Sequence, residues 1–285
     1  MVLKEIKQIL TENNLAAQKK FGQNFLIDEN IINNIIDKSE NNKNISVIEI
    51  GPGLGSLTNI IKDRCNKLLC YEIDHEIANL LQKRYDGTNV TIIEDDFLKR
   101  DVGKDIDEYL KNEDIYVISN LPYYITTSIL IKLIENKNRF KRFVLMMQKE
   151  VADRICGSNK TKDYNALSVY VQYYTDAKQI IQVSPNCFYP APDVSSTVVR
   201  FDILDSHEPS AIDELYFNAF NRIIFSHKRK TLYNNLKNNS NISTNTIEKV
   251  LNKMNYSKTV RSEELSVNEI VELSNAFYEE SKNGN

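Results

Sequence analysis

VIEIGPGLGSLT, from Val47 to Thr58, is an apolar run holding one acid, Glu49, broken by three glycines and continuing at helical spacing. It reads as strand, tight turn and helix, the helix running from Gly55 to about Arg64. Glycines at 51, 53 and 55 take three Cβ atoms out of one turn, so the backbone can adopt positive φ and lie close to a ligand. Ligands of open α/β sheets bind at the carboxyl ends of strands, where this turn falls. An ordinary strand-to-helix turn has the same outline, so the next acid matters. The following apolar run, KLLCY from Lys67 to Tyr71, ends in Glu72, Ile73 and Asp74. That is about twenty residues past the turn, where a ribose-binding carboxylate belongs in such a unit.

Two cofactor classes fit a glycine turn followed by an acid. A dinucleotide fingerprint wants G-x-G-x-x-G with the pyrophosphate on the helix N-terminus. Here the glycines run G-P-G-L-G and Ser56 stands where the last glycine should be. The departure favours S-adenosylmethionine, which has a ribose but no pyrophosphate and needs the backbone close to its aminoacyl and ribose groups. Spacing tilts the choice without settling it.

With 285 residues the chain can bury a large core, and one big domain with a small appendage is expected. A formal net charge of -3 with signs mixed throughout announces no nucleic-acid partner, so any such binding must come from a local basic patch. Cys65, Cys70, Cys156 and Cys187 show no C-x-x-C pairing and His75, His207 and His227 no close spacing, so neither a zinc site nor a disulfide framework is supported. MVLKEIKQIL at the N-terminus is charged and too short in its apolar runs for a signal peptide, and no membrane-length apolar stretch follows. A cytoplasmic location is expected.

Taken in order, Met1 to Asn14 reads as a short amphipathic helix, followed by a polar loop carrying Lys19, Lys20, Gln23 and Asn24 between Phe21 and Phe25. Ile31, Ile32, Ile35 and Ile36 then recur at helical spacing. Strands at Val47, Leu68, Val90 to Ile93, Ile115 to Ile118 and Phe143 to Met147 alternate with helical stretches as in a doubly wound sheet. The third strand ends in Glu94, Asp95, Asp96 and Phe97, again a carboxylate at a carboxyl end. The fourth ends in Ser119-Asn120-Leu121-Pro122-Tyr123-Tyr124, the residue set that chemistry at adenine N6 needs. That exocyclic amine is a poor nucleophile because its lone pair is delocalised into the ring. A site accepting hydrogen bonds from both its N–H groups draws the nitrogen toward tetrahedral geometry and holds it in line with a methyl donor. The Asn120 side-chain oxygen and the next backbone carbonyl, fixed by Pro122, supply two acceptors, and Tyr123 supplies a stacking face.

With these pieces the chain resembles the KsgA/RsmA ribosomal RNA adenine dimethyltransferases nearly end to end. The matching segments are KKFGQNFL, VIEIGPGLGSLT, YEID, DDF, SNLPYYITTSIL, MMQKEVADRI, VSPNCFYPAPDVSSTVV, HKRKTLYNNL and RSEELSVNEI. The resemblance implies Asn24 and Leu26 beside the cofactor's methionine end, Gly51 beneath it, Glu72 on the ribose hydroxyls and Asp96 on the cofactor's adenine amine. Phe97 is expected to pack on the cofactor base. The resemblance also implies Asn120 and Leu121 at the methyl-accepting nitrogen, with Phe188 stacking opposite Tyr123. The Erm enzymes, which act on large-subunit RNA, are similar too, but usually read serine-Gln-Asn-Phe, Gly-Thr-Gly-Lys-Gly and Asn-Ile-Pro-Tyr. Here the three sites are Gly22-Gln23-Asn24-Phe25, Gly51-Pro52-Gly53-Leu54-Gly55 and Asn120-Leu121-Pro122-Tyr123, which favour the small-subunit enzyme. One departure is Asp193, where many members of the family carry lysine or asparagine.

Beyond the fifth strand, Lys149 to Cys156 and Asn165 to Tyr174 read as helices, and Ala177 to Val183 and Ser196 to Phe201 as strands around a proline-stiffened loop. DSHEPS, Asp205 to Ser210, is the expected boundary between a methyltransferase domain (1–205) and a helical RNA- or ribosome-binding domain (206–285). The latter holds the strongest basic cluster, His227 to Lys230. The expectation is a Rossmann-like, seven-stranded class I methyltransferase with a small all-helical C-terminal domain. It should be a monomer that dimethylates the N6 amines of two adjacent adenines in a hairpin near the 3′ end of 16S RNA in the small subunit. S-adenosylmethionine is the donor, and no metal is required. The rivals are an Erm-like methylase and a non-catalytic assembly factor on the same fold.

Overall fold

The structure is a computed structural model that describes residues 3–13, 15, 23–111 and 114–283. Lys19, Lys20, Phe21 and Gly22, at the start of the first motif, lie outside the described residues. The first part of the chain comprises α1 (Leu3–Glu12), β1 (Phe25–Leu26), α2 (Glu29–Ser39), β2 (Ile45–Ile50), α3 (Thr58–Ile61), β3 (Leu68–Glu72), α4 (His75–Arg84) and β4 (Val90–Glu94). There follow α5 (Val102–Asp105), β5 (Asp114–Asn120), α6 (Thr126–Glu135), β6 (Arg142–Gln148), α7 (Lys149–Ile155), α8 (Ala166–Tyr174), β7 (Thr175–Val183), β8 (Phe188–Tyr189) and β9 (Ser196–Ile203).

Seven strands form one sheet in the order β4-β3-β2-β5-β6-β9-β7. β2, β3, β4, β5 and β6 run parallel, and β9 returns antiparallel to β6 with Phe143 opposite Phe201. Because β2 is buried along its whole length, it reads as a near-continuous apolar run, as central parallel strands do. From β2 the chain winds outward to β4, and from β5 it winds the other way, so the strand order reverses between β2 and β5. Such a reversal opens a crevice at the carboxyl ends of the two strands. Helices start where side chains can take the first free N–H groups: Asp28 accepts from Asn30 and Ile31, and Asp74 from Glu76 and Ile77.

The glycine turn departs from its expected outline. Residues Gly51 to Leu57 stay in turns, and regular helix is confined to the four residues of α3. A second difference is the two-stranded sheet of β1 and β8, Phe25 opposite Tyr189 and Leu26 opposite Phe188. Strands of two residues carry no alternation for a sequence pattern to reveal.

The contacts divide the chain into two units, one of residues 1–152 and 176–203, the other of 153–175 and 204–285. A single break after residue 205 therefore misses that α8 belongs with the C-terminal helices. Its Tyr173 ring lies 4.5 Å from Phe217, and Asn221 donates to the Ala166 carbonyl. The second unit also contains α9 (Glu214–Ile224), α10 (Leu232–Asn239), α11 (Thr244–Lys253) and α12 (Val267–Asn283). Phe217, Phe220 and Phe277 are among its buried rings. At its last helix, Ser266 and Glu269 exchange the hydrogen bonds of a capping box. Among the described residues no helix is long and apolar enough to cross a membrane.

Candidate active site

A cleft in the first unit opens at the carboxyl ends of β2, β3 and β5. Gly51, at the end of β2, has φ +69, which an L side chain resists, and a Cβ there would face Pro122 at 3.7 Å. Gly55, at φ +84, admits none, since its Cβ would fall 2.7 Å from the Tyr85 hydroxyl, which is itself held by Asn59. The turn thus lies flat against its surroundings and presents bare backbone to the cleft.

Glu72 ends β3 with its carboxyl inside the protein, 4% exposed. Asp74 N–H donates to Oε1 at 2.9 Å and Gly53 N–H to Oε2 at 3.1 Å. Burial pushes its pKa up to about 7, against the pull of those two N–H groups. Glu49, on β2 in the same cleft wall, accepts from the Thr58 hydroxyl at 2.7 Å, and burial raises it to about 8. Both folded-state values lie above the unfolded carboxyl value of 4.5, so each group's stabilising contribution is complete below pH 4.5 and is lost as pH rises through about 7 and about 8. A ligand whose hydroxyls donate to Glu72 prefers the carboxylate and acts in the opposite sense. The ligand-free protein should therefore melt at lower temperature as pH rises from 6 to 8.5, while the melting shift produced by S-adenosylhomocysteine grows. Thermal unfolding with and without that compound checks both, and a ligand shift that shrinks with pH would contradict the assignment of Glu72.

The opposite wall is the end of β5. Asn120 Nδ2 donates to the Asn24 carbonyl at 3.2 Å, which leaves Oδ1 as the oxygen available to a substrate amine. Ser119 Oγ donates to the Ile50 carbonyl at 2.5 Å, pinning β5 to β2 where the strands diverge. Leu121 N–H donates to the Met146 carbonyl at 3.1 Å, and its own carbonyl precedes Pro122, whose ring restricts the backbone there. Tyr123 lines the cleft with its hydroxyl 2.6 Å from Ser196 Oγ, so the ring is held from both ends. Burial raises its pKa, which keeps the phenol neutral.

Asn24, Leu26, Gly51, Glu72, Asn120, Leu121, Pro122 and Tyr123 all line this one cleft. Asp96 lies outside its lining, on the adjoining turn of residues 97–99, with Oδ1 taken by the Leu98 N–H at 2.9 Å. Two aromatic residues sit deeper than the sequence leads one to expect. The Phe97 ring is 4% exposed and packs edge-on to Tyr71 at 5.1 Å, turned inward under its own turn. Phe188 is 3% exposed in the core with Leu26, Ile181 and Val183, because pairing with β1 draws β8 down onto the sheet. In this conformation it has no open face for a base.

Two residues that the sequence reading gave no role of their own lie at or near the rim. Ile73, 44% exposed between two acids, lines the cleft, and Tyr124 is 58% exposed with its phenol raised by burial and by the Asp96 and Glu72 carboxylates. An apolar side chain at the carboxyl end of a strand, past the last core position, is the signal that could have found Ile73. Gln23 Nε2 donates to Asp74 at 3.0 Å, fastening the segment before β1 to the α4 cap. Among the described residues no group of three or more His, Cys, Asp or Glu is arranged to hold a metal ion.

The family model described as "Ribosomal RNA adenine dimethylase" matches residues 14–273. A protein named ribosomal RNA small subunit methyltransferase A from Streptococcus thermophilus is 40% identical over 279 residues, covering 96% of each chain. The protein of the same name from Bacillus pumilus is 41% identical over 278 residues, 95% of this chain and 94% of its own. Among solved structures, a dimethyladenosine transferase from Plasmodium falciparum superposes with a TM-score of 0.76 at 26% identity, over 91% of this chain and 98% of that one. The 23S rRNA methyltransferase ErmE, at 21% identity and a TM-score of 0.68 over 90% of this chain and all of its own, shares the fold.

Proposed function

The chain belongs to the ribosomal RNA adenine dimethylases, and from that premise we propose that its cleft holds S-adenosylmethionine beside an adenine of small-subunit ribosomal RNA. The family makes it a methyltransferase. One observation carries the finer reading: a bare glycine turn with a buried ribose-type carboxylate and an Asn-Leu-Pro-Tyr acceptor loop share one cleft. The residues fit that cofactor, since the glycines leave room for its chain and Glu72 keeps acceptor positions beyond the two N–H groups it already binds.

When bound, the sulfonium supplies an already activated methyl electrophile. The chain's own work is to bind and to orient. Asn24, Leu26 and Gly51 bound the methionine end, Glu72 takes the ribose hydroxyls and Asp96 the adenine amine. Asn120 Oδ1 and the Leu121 carbonyl accept both N–H groups of the target amine, which restores electron density to a nitrogen that conjugation has depleted. Tyr123 stacks on the flipped base. Phe188, buried beside Leu26, backs this wall and reaches a base only if β8 shifts.

The same reading makes residues 1–205 the catalytic part, though α8 within them packs with the helices that follow, and residues 206–285 an RNA- or ribosome-binding part, with the exposed Lys228, Arg229 and Lys230 as phosphate contacts. The substrate is two adjacent adenines in a hairpin near the 3′ end of 16S RNA, each receiving two methyl groups, and the enzyme acts as a cytoplasmic monomer. With a net charge of -3, binding to naked RNA should be weak and should fall steeply with salt. A partly assembled small subunit, by contrast, holds the hairpin in shape. N6,N6-dimethyladenosine is therefore expected on methylation-deficient small subunits, much less on their naked RNA and none on large-subunit RNA. Mass spectrometry of digested RNA reads the result. Dimethylation confined to large-subunit RNA would transfer the chain to an Erm-like role, and methylation of no RNA would leave an assembly factor.

A further inference from the structure

Asp96 caps a short 3-10 turn, its N–H donating to Asp95 Oδ1 at 2.7 Å and its Oδ2 facing Lys99 Nζ at 4.0 Å. Its Oδ1 accepts from Leu98 N–H at 2.9 Å, Lys99 N–H donates to the Asp96 carbonyl at 2.9 Å, and Arg100 N–H reaches the Phe97 carbonyl at 3.3 Å. The carbonyls of Leu98 and Arg100 are left facing α6. Both are taken by one group: Lys132 Nζ donates to Leu98 O at 2.8 Å and to Arg100 O at 2.6 Å, and stands 5.4 Å from the centre of the Phe97 ring.

The other end of α6 is tied to the acceptor loop, where Thr126 Oγ1 donates to the Pro122 carbonyl at 3.1 Å. One helix thus touches the loop carrying Asn120 and the turn carrying Asp96. A second strap comes from Arg100, which pairs with the buried Asp105 at 2.5 and 3.0 Å, while Tyr71 donates to the same carboxylate at 3.1 Å. Burial pulls the Lys132 pKa below the usual lysine value, and the carboxylates of Asp96, Asp101, Asp105 and Glu135 pull it back up.

We propose that Lys132 is a positioning residue for cofactor selection: by closing the Leu98 and Arg100 carbonyls onto α6 it fixes the turn whose Asp96 reads the adenine amine of the cofactor. The inference rests on the assignment of Asp96 made above. Without the ammonium both carbonyls lose a charge-assisted donor, and the turn is free to rotate Asp96 away from the base.

Titration calorimetry with S-adenosylhomocysteine and S-inosylhomocysteine, which lacks the exocyclic amine, tests it. The unsubstituted protein should prefer the adenine compound by roughly tenfold or more, the worth of one charge-assisted hydrogen bond. Lys132→Met should bind the adenine compound roughly tenfold more weakly and the inosine compound almost unchanged, so the preference collapses. Lys132→Arg, which keeps a cationic donor, should restore most of it. With saturating methyl donor, Lys132→Met should keep most of its kcat while its KM for the donor rises. Thermal unfolding monitors the fold, and Lys132→Gln carries the same comparison should Lys132→Met not fold. Equal losses for both compounds, or a preference that survives Lys132→Met, would overturn the role of Lys132. A protein that shows no preference before any substitution would overturn it through Asp96 instead, a failure distinguishable from the first.

Discussion

Asn120→Ala will cut turnover on methylation-deficient small subunits by about 100- to 1000-fold, the loss typical when a group that acts on transition-state charge is removed. RNA affinity should change little if, as proposed, the base is held by stacking on Tyr123 and the RNA by phosphate contacts elsewhere. The expectation comes from how Asn120 is held. Its Nδ2 is spent on the Asn24 carbonyl at 3.2 Å, so the amide plane cannot turn and Oδ1 stays in the cleft. Asn120→Asp is the sharper probe. It keeps an acceptor oxygen but sets a carboxylate against the Asn24 carbonyl where a donor stood, so it should also lose most activity although an acceptor remains. Single-turnover methylation at saturating donor, with a melting curve for each variant, separates chemistry from folding. Near-normal turnover in a folded Asn120→Ala protein would remove the amine-activating role.

The second large effect is at the cofactor. Glu72→Ala should weaken S-adenosylmethionine binding by about 100-fold or more, since two hydrogen bonds to a charged acceptor are each worth about 1.5–3 kcal/mol. The variant also strands the Gly53 and Asp74 N–H groups, which now donate to Glu72 at 3.1 and 2.9 Å, so the glycine turn itself should loosen. Glu72→Gln keeps one acceptor oxygen without the charge and should fall between the two. It should also abolish the growth of affinity with pH, because the group whose pKa burial raises to about 7 is gone. Calorimetry decides. Unchanged affinity in folded Glu72→Ala, or tighter binding of a nicotinamide dinucleotide by the unsubstituted chain, would sink the cofactor assignment.

What could be read from the sequence followed from where regular periodicity and special residues coincide. Most of the long strands announce themselves as apolar runs ended by a polar or glycine residue, and Glu72 and Asn120 stand out as polar groups at those ends. The two-residue strands β1 and β8 have no period, so the pairing that buries Phe188 beside Leu26 was invisible, and a stacking role was assigned to a ring the structure places in the core. The inward turn of Phe97 depends on Tyr71, a residue on another strand. Assignment of α8 to the second unit rests likewise on Tyr173 meeting Phe217, a contact across more than forty positions that no local pattern encodes. Tyr124 was quoted with its motif but given no role of its own, because an exposed aromatic and a buried one look alike in sequence.

The short ladder between β1 and β8 joins residues 25–26 to 188–189, and it is closed further by Ile27 N–H on the Cys187 carbonyl at 2.9 Å. Chains leave the ribosome N-terminus first, so β2 to β6 and the glycine turn emerge while β8 is still being synthesised. During that interval Phe25 and Leu26 lack their strand partner, and the segment is held only through Gln23 on Asp74 and the Asn24 carbonyl on Asn120 among the contacts described above. The loop that joins the two strands is among the longest closures in the first unit, and closures of high sequence separation come late in folding. A chain that stops before Phe188 therefore carries every residue that lines the cleft but lacks the strand on which Phe25 and Leu26 pair. Ordering of the segment that holds Asn24 and Leu26 is thus completed only once synthesis has passed Tyr189, long after the glycine turn it packs beside has been made.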